Sequence, residues 1–175
     1  SLLYIDLDDF KLYNQLYGTL EGDRMLQRIA EILTHNVGKD GTVFRTGGKV
    51  FAALLPLWDG RRSSKLAAQI QQQVADINKA PGRAAYKPVT LSIGIFVSPL
   101  AASSAKELIE NADLAVYTAK SRGKDRVVLH QSSSEGYKSP ARKVKEAMEN
   151  KDDLDTEVSS SIVSALTAAI DAKDH

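Results

Sequence analysis

Asp6, Asp8 and Asp9 stand together at the end of residues 2–7, a short apolar run rich in strand-forming residues. Carboxylates delivered at the end of a buried strand have two ready uses. Hard divalent cations take carboxylate and carbonyl oxygens, so the group could hold one; equally, aspartates at such a place cap and charge the start of a following helix. Further along, Gly47-Gly48 separates two strand-like runs, 42–46 and 49–55. A two-residue glycine connection closes a tight hairpin, because glycine takes positive φ without a Cβ penalty, and it also lets a ligand approach the backbone closely. Neither feature is specific alone.

The elements that must position these residues follow from periodicity. Residues 2–7 read as a buried strand that ends in the aspartates. From Gly22, apolar residues Met25, Leu26, Ile29, Ala30, Ile32 and Leu33 recur at steps of three and four, the spacing of a helix with one apolar face, which Asn36 and Gly38 end. The hairpin follows. Leu66, Ile70, Val74 and Ile77 mark a second helix closed by Pro81-Gly82, residues 89–97 a long strand, and Leu108 to Ala119 a third helical face that leads past Gly123 to a last strand at 126–129. The order is strand, helix, hairpin, helix, strand, helix, strand. A hairpin combined with helical crossovers implies an α+β sandwich with a mixed, largely antiparallel sheet, not a doubly wound parallel one.

Taken in order, the spacing Asp6-Leu-Asp-Asp-Phe10-Lys11-x-x-Asn14, then Gly18, Gly22-Asp23, then Arg45-Thr-Gly47-Gly48-x-x-Phe51 resembles the GGDEF family of diguanylate cyclases. Leu91-Ser92-Ile93-Gly94-Ile95 is similar to the family's late strand. Ala112-Asp113-x-Ala115-x-Tyr117-x-Ala119-Lys120-x-x-Gly123-Lys124-x-Arg126 is similar to its final helix and strand. Five separated matches in one order carry far more than any single motif. The resemblance covers residues 1 to about 130 and lacks the family's leading helix. It implies a nucleotide-cyclase-like sandwich of the ferredoxin or palm type and a nucleotide-binding set of Asn14, Asp23, Gly47, Gly48, Lys49, Lys120 and Lys124. Within that set Asn14 and Asp23 would meet the guanine edge and Lys120 and Lys124 the phosphates, with Asp6 as a weakened magnesium ligand. The residue chemistry agrees, since a carboxylate and a carboxamide match guanine's donors and acceptors and ammonium groups match phosphate. Lys124 stands where the family typically has Arg, which keeps the charge and gives up the bidentate fork.

The departures matter more. Where the family has two acidic residues after the glycine pair, this sequence has Lys49 and Val50. The resemblance gives the first acid a metal ion to share with Asp6, and cyclisation needs metal charge to organise the triphosphate. An ammonium cannot coordinate a cation, although it can stand against phosphate oxygens in its place. No catalytic residue is therefore assigned, and the expected ligand is GTP, with magnesium held weakly. The family's product-inhibition motif, Arg-x-x-Asp, is also missing: Gly38 and Gly41 fill those positions.

Beyond His130 the periodic pattern stops. Residues 131–161 read as a Ser-rich linker with a short charged helix at 142–149. Val158, Ile162, Leu166 and Ile170 then repeat every four residues, and 162–175 resembles the opening helix of an HD-GYP phosphodiesterase domain, a helical tail after the 1–130 domain. That resemblance implies a degenerate cyclase domain controlling an attached phosphodiesterase. A structural or dimerisation adaptor and a cyclase with an atypical site are the alternatives, and a second copy of the chain is a candidate partner.

The bulk properties set outer limits. With 23 Lys and Arg against 22 Asp and Glu there is no global field for nucleic acid or a membrane surface, so an anionic ligand must be held locally. The absence of cysteine excludes disulfides and thiolate metal sites and fits a reducing, cytoplasmic setting. The longest apolar stretch, 51–58, is interrupted by Pro56 and far too short to cross a membrane. Both termini read as cuts, so a piece of a longer protein is expected.

Overall fold

The computed structural model describes residues 1–79, 87–98 and 104–131. The order is β1 (Leu2–Leu7), α1 (Phe10–Tyr17), α2 (Thr19–Val37), a 3-10 turn (Gly38–Asp40), β2 (Thr42–Gly47), β3 (Val50–Leu54), α3 (Gly60–Asn78), β4 (Leu91–Val97), α4 (Ala105–Ser121) and β5 (Arg126–Gln131). The strands form one sheet in the order β2-β3-β1-β4-β5. β1 is central and antiparallel to both β3 and β4, whereas β4 and β5 are parallel. The fold is the expected α+β sandwich with a mixed, largely antiparallel sheet. The expected linker, the helical tail and the Pro81-Gly82 stop lie outside the described residues.

Strand parity divides the core. Leu3, Ile5 and Leu7 of β1, Phe51 and Ala53 of β3 and Ile93 and Ile95 of β4 pack on one face with α2 and α3. Leu2, Tyr4, Ala52 and Phe96 pack on the other beneath α4. All six residues of β1 are buried, which explains why it reads as a continuous apolar run and not as an alternation. The helices start and stop on local chemistry. Asp59 caps α3 by accepting from the Arg62 backbone N–H at 2.7 Å, Ser104 caps α4 by accepting from Glu107 N–H at 3.2 Å, and Gly38, with φ of 55°, ends α2.

One element was missed by periodicity. α1 has only eight residues, and its buried pair Phe10 and Tyr13, extended by Tyr17, already shows a three- and four-residue step. Gly94 of β4 lies directly under α4: a Cβ there would sit 2.4 Å from the Ala112 carbonyl oxygen and the Val116 nitrogen. That close approach sets the height of α4, and with it Lys120, over the end of β1.

Candidate functional site

Asp6 is the last residue of β1 on the α4 face, by the same parity as Leu2 and Tyr4. It is 6 % exposed, and it stands opposite Val50 in the β1–β3 ladder, so the hairpin tip lies just beyond it. Lys49 reaches back from that tip, its Nζ 2.9 Å from Asp6 Oδ1, an ion pair whose alignment falls short of a hydrogen bond. From the other side Lys120, one turn past the buried Val116 of α4, donates a hydrogen bond to Asp6 Oδ2. Asp6 and Lys49 are therefore in contact. Lys120 joins them, which sequence did not show.

Asp8 has a different surrounding. It is buried and accepts hydrogen bonds from Ser92 Oγ at 2.7 Å, Thr90 Oγ1 at 2.8 Å and the Asp125 backbone N–H at 3.1 Å. This carboxylate is a strut tying the end of β1 to β4 and to the turn before β5. Asp9, at φ 51°, precedes α1 but makes no side-chain cap. Instead its Oδ1 accepts from Lys124 Nζ at 2.6 Å and its Oδ2 lies 2.9 Å from Lys87 Nζ. The hydrogen bonds from Lys124 and then Lys87 hold the Asp9 carboxyl down at about 2, and Asp9 in turn raises the Lys124 ammonium. Asp9, Lys124 and Asp125 all have positive φ without being glycine, so left-handed backbone concentrates around these contacts.

A cleft of about 300 Å³ opens here, lined by Asp8, Asp9, Phe10, Lys11, Lys49, Lys120 and Lys124. At its hairpin wall Arg45 donates through Nε and Nη2 to the Gly48 carbonyl, at 3.1 and 2.6 Å, which fixes the turn. Gly48 has φ of 45°, and a Cβ there would meet nothing within 4 Å, so the turn requires glycine while the space above it stays open. Asn14 and Asp23 are not part of this lining. They sit on α1 and α2, where the Asn14 Oδ1 fills the space in which a Gly22 Cβ would lie, 1.8 Å from its ideal position. The sequence-adjacent Asp23 is exposed. Asn14 Oδ1 is buried and has no hydrogen-bond partner among the described residues. The expected binding residues thus fall into two groups: a lysine-rich cleft at the sheet end, and an amide and a carboxylate at the α1–α2 junction.

Magnesium does not fit the donors at Asp6. It demands near-octahedral oxygen ligation, yet both Asp6 oxygens face ammonium groups and both Asp8 oxygens are taken by hydrogen bonds. Among the described residues no group of three or more His, Cys, Asp or Glu side chains is placed to hold a metal.

Comparison with known proteins agrees with this architecture. Residues 1–126 match the family described as diguanylate cyclase, GGDEF domain. The chain is 37% identical over 128 residues to diguanylate cyclase DgcM of Escherichia coli strain K12, covering 73% of this chain and 30% of that protein. It is 32% identical over 136 residues to the bifunctional diguanylate cyclase/cyclic di-GMP phosphodiesterase MucR of Pseudomonas aeruginosa, covering 76% of this chain and 19% of that protein. The chain thus spans less than a third of the length of these relatives. Among solved structures, the active GGEEF domain of a diguanylate cyclase from Vibrio cholerae superposes with a TM-score of 0.66 at 26% identity, over 75% of this chain and 83% of that one. With the family model matching well over half its residues, the chain belongs to the GGDEF family of diguanylate cyclase domains.

Proposed function

We propose that this domain is a guanine-nucleotide-binding regulatory module of cyclic di-GMP signalling that does not itself make the dinucleotide. The observation that carries the reading is the Asp6 carboxylate held between Lys49 and Lys120. Attack of a 3′ hydroxyl on the α-phosphate of a second nucleotide needs charge stabilisation from metal ions held by carboxylates. Here an ammonium stands where the second carboxylate would be, and it can neither bind a metal nor accept a proton. It does suit phosphate oxygens, so GTP binding has no need of magnesium. Val50 contributes no polar group.

Asn14 and Asp23 support guanine as the base. The buried, unpartnered Asn14 Oδ1 is an acceptor in want of a donor, and Asp23 offers acceptors to guanine's N1–H and N2 amine. On this reading residues 162–175 begin an HD-GYP phosphodiesterase domain that the nucleotide-bound module controls, and the site of action is the cytoplasm. MucR, which joins a cyclase and a phosphodiesterase in one protein, supports that pairing. No helix among the described residues is long and apolar enough to cross a membrane.

The test is synthesis of cyclic di-GMP from GTP and magnesium by the purified chain. No product is expected. Turnover on the order of 1 per second, ordinary for a slow enzyme, would overturn the reading.

A further inference from the structure

Four ammonium groups at the end of β1 are arranged as two pairs. Lys49 and Lys120 take one oxygen each of Asp6, and Lys87 and Lys124 take one oxygen each of Asp9. Lys87 belongs to no motif; it enters from the segment before β4. Asp8, between the two paired aspartates, joins neither pair and instead pins the Asp125 N–H, and so the turn that carries Lys124. The cleft itself is lined by the ammonium groups of Lys11, Lys49, Lys120 and Lys124 against the carboxylates of Asp8 and Asp9, a balance that suits an anion and repels a cation.

The pairing does not use the lysines up. An ammonium has three N–H donors, of which its aspartate takes at most one. The others stay accessible, since Lys49, Lys87 and Lys124 are each about 40 % exposed in their side chains (39%, 40% and 43%) and Lys120 is 31% exposed; Lys49, Lys120 and Lys124 line the cleft, and Lys87 meets it through Asp9. We propose that Asp6 and Asp9 are posts, each fixing two lysines, and that the cleft takes the di- or triphosphate of a nucleotide free of magnesium, the chelated form binding more weakly. The proposal rests on the nucleotide-binding reading and adds to it a sign. A chelated magnesium ion occupies phosphate oxygens that the lysines would meet and brings two positive charges toward four ammonium groups. With both Asp6 oxygens facing ammonium, no carboxylate remains there to receive the ion. Asp6 is retained as a holder of lysines, and its place as a metal ligand is lost.

The experiment is calorimetric titration of the full chain with GTP, GDP, GMP, ATP and inorganic triphosphate, each in EDTA and in excess magnesium, repeated with Lys87→Ala. In EDTA, GTP and GDP should bind about tenfold or more tighter than GMP, because charge-assisted contacts to the added phosphates contribute. Magnesium should weaken GTP about fivefold or more, through like-charge repulsion in the cleft. Lys87→Ala should weaken GTP severalfold without moving the unfolding midpoint, its ion pair being exposed. Magnesium that tightens GTP or leaves it unchanged, or a Lys87→Ala protein that binds like wild type, overturns the proposal. If inorganic triphosphate binds in EDTA and GTP is not preferred over ATP, the paired lysines stand and the guanine reading fails. If GTP is preferred over ATP yet tightened by magnesium, the guanine reading stands and the paired-lysine proposal fails. No binding by any of these anions at millimolar concentration defeats both.

Discussion

Lys49 Nζ stands 2.9 Å from Asp6 Oδ1 at the open end of the β1–β3 ladder, so the first residue after the glycine pair turns back onto the carboxylate that ends the central strand. The contact joins a nearly buried anion to a half-exposed cation, with Lys120 on the other oxygen. Removing Lys49 leaves Asp6 its second partner. Lys49→Ala should therefore change stability by no more than about 1 kcal/mol, as for other solvent-screened ion pairs. Urea denaturation measures this; a loss well above that value would mean the lysine holds the hairpin itself.

Asp8→Ala should be far more damaging. It removes the acceptor for Ser92 Oγ, Thr90 Oγ1 and the Asp125 N–H inside a buried site. Losing several charge-assisted bonds together should cost about 2–4 kcal/mol. Equilibrium unfolding in urea checks it, and a loss below about 1 kcal/mol would show that water takes over the freed donors.

The Asp9 carboxyl should titrate near 2, since Lys124 and Lys87 both donate to it. Its folded value is depressed below the ordinary aspartate value of 3.8. Any stability it gives is thus complete above about pH 4 and fades as the pH falls toward 2. Because both lysines are partly exposed, that contribution is small. A carboxyl-detected NMR titration reads the midpoint directly, and a midpoint near 4 would show that the two lysine contacts do not persist in solution.

Gly22→Ala should separate base recognition from phosphate binding. The new Cβ would fall 1.8 Å from Asn14 Oδ1 and push that flexible amide aside, while the better helix propensity of alanine, up to about 1 kcal/mol, offsets the crowding. Stability should stay close to wild type. Preference for GTP over ATP should fall about tenfold, the worth of one well-formed polar contact, while inorganic triphosphate binds as before. A full GTP preference in the variant would remove Asn14 from the recognition surface.

Much of this was legible because the chemistry sits in short motifs at element ends. The aspartates at the end of β1, the Gly47-Gly48 turn, and Lys120 and Lys124 at and just past the end of α4 each lie next to a strong periodic or turn signal, and the strands, α2 and α4 fell within a few residues of their expected limits. α1 escaped because eight residues give barely two turns of periodicity. Lys87 escaped for another reason. It is partly exposed and isolated in sequence, and its meeting with Asp9 depends on the β4–β1 pairing, which brings residue 91 opposite residue 7. The division of labour among the three aspartates was likewise hidden: strand parity puts Asp6 under α4, but only the fold shows Ser92, Thr90 and the Asp125 N–H converging on Asp8.

Equilibrium dialysis of the full chain against labelled GTP with magnesium, followed by chromatography of the retained nucleotide, tests most directly whether this domain binds without cyclising. The label should be retained at sub-millimolar GTP and recovered as unconverted GTP, and unlabelled GTP should displace it about tenfold or more better than ATP. Recovery of the label as cyclic di-GMP, or no retention at millimolar GTP, would contradict the account.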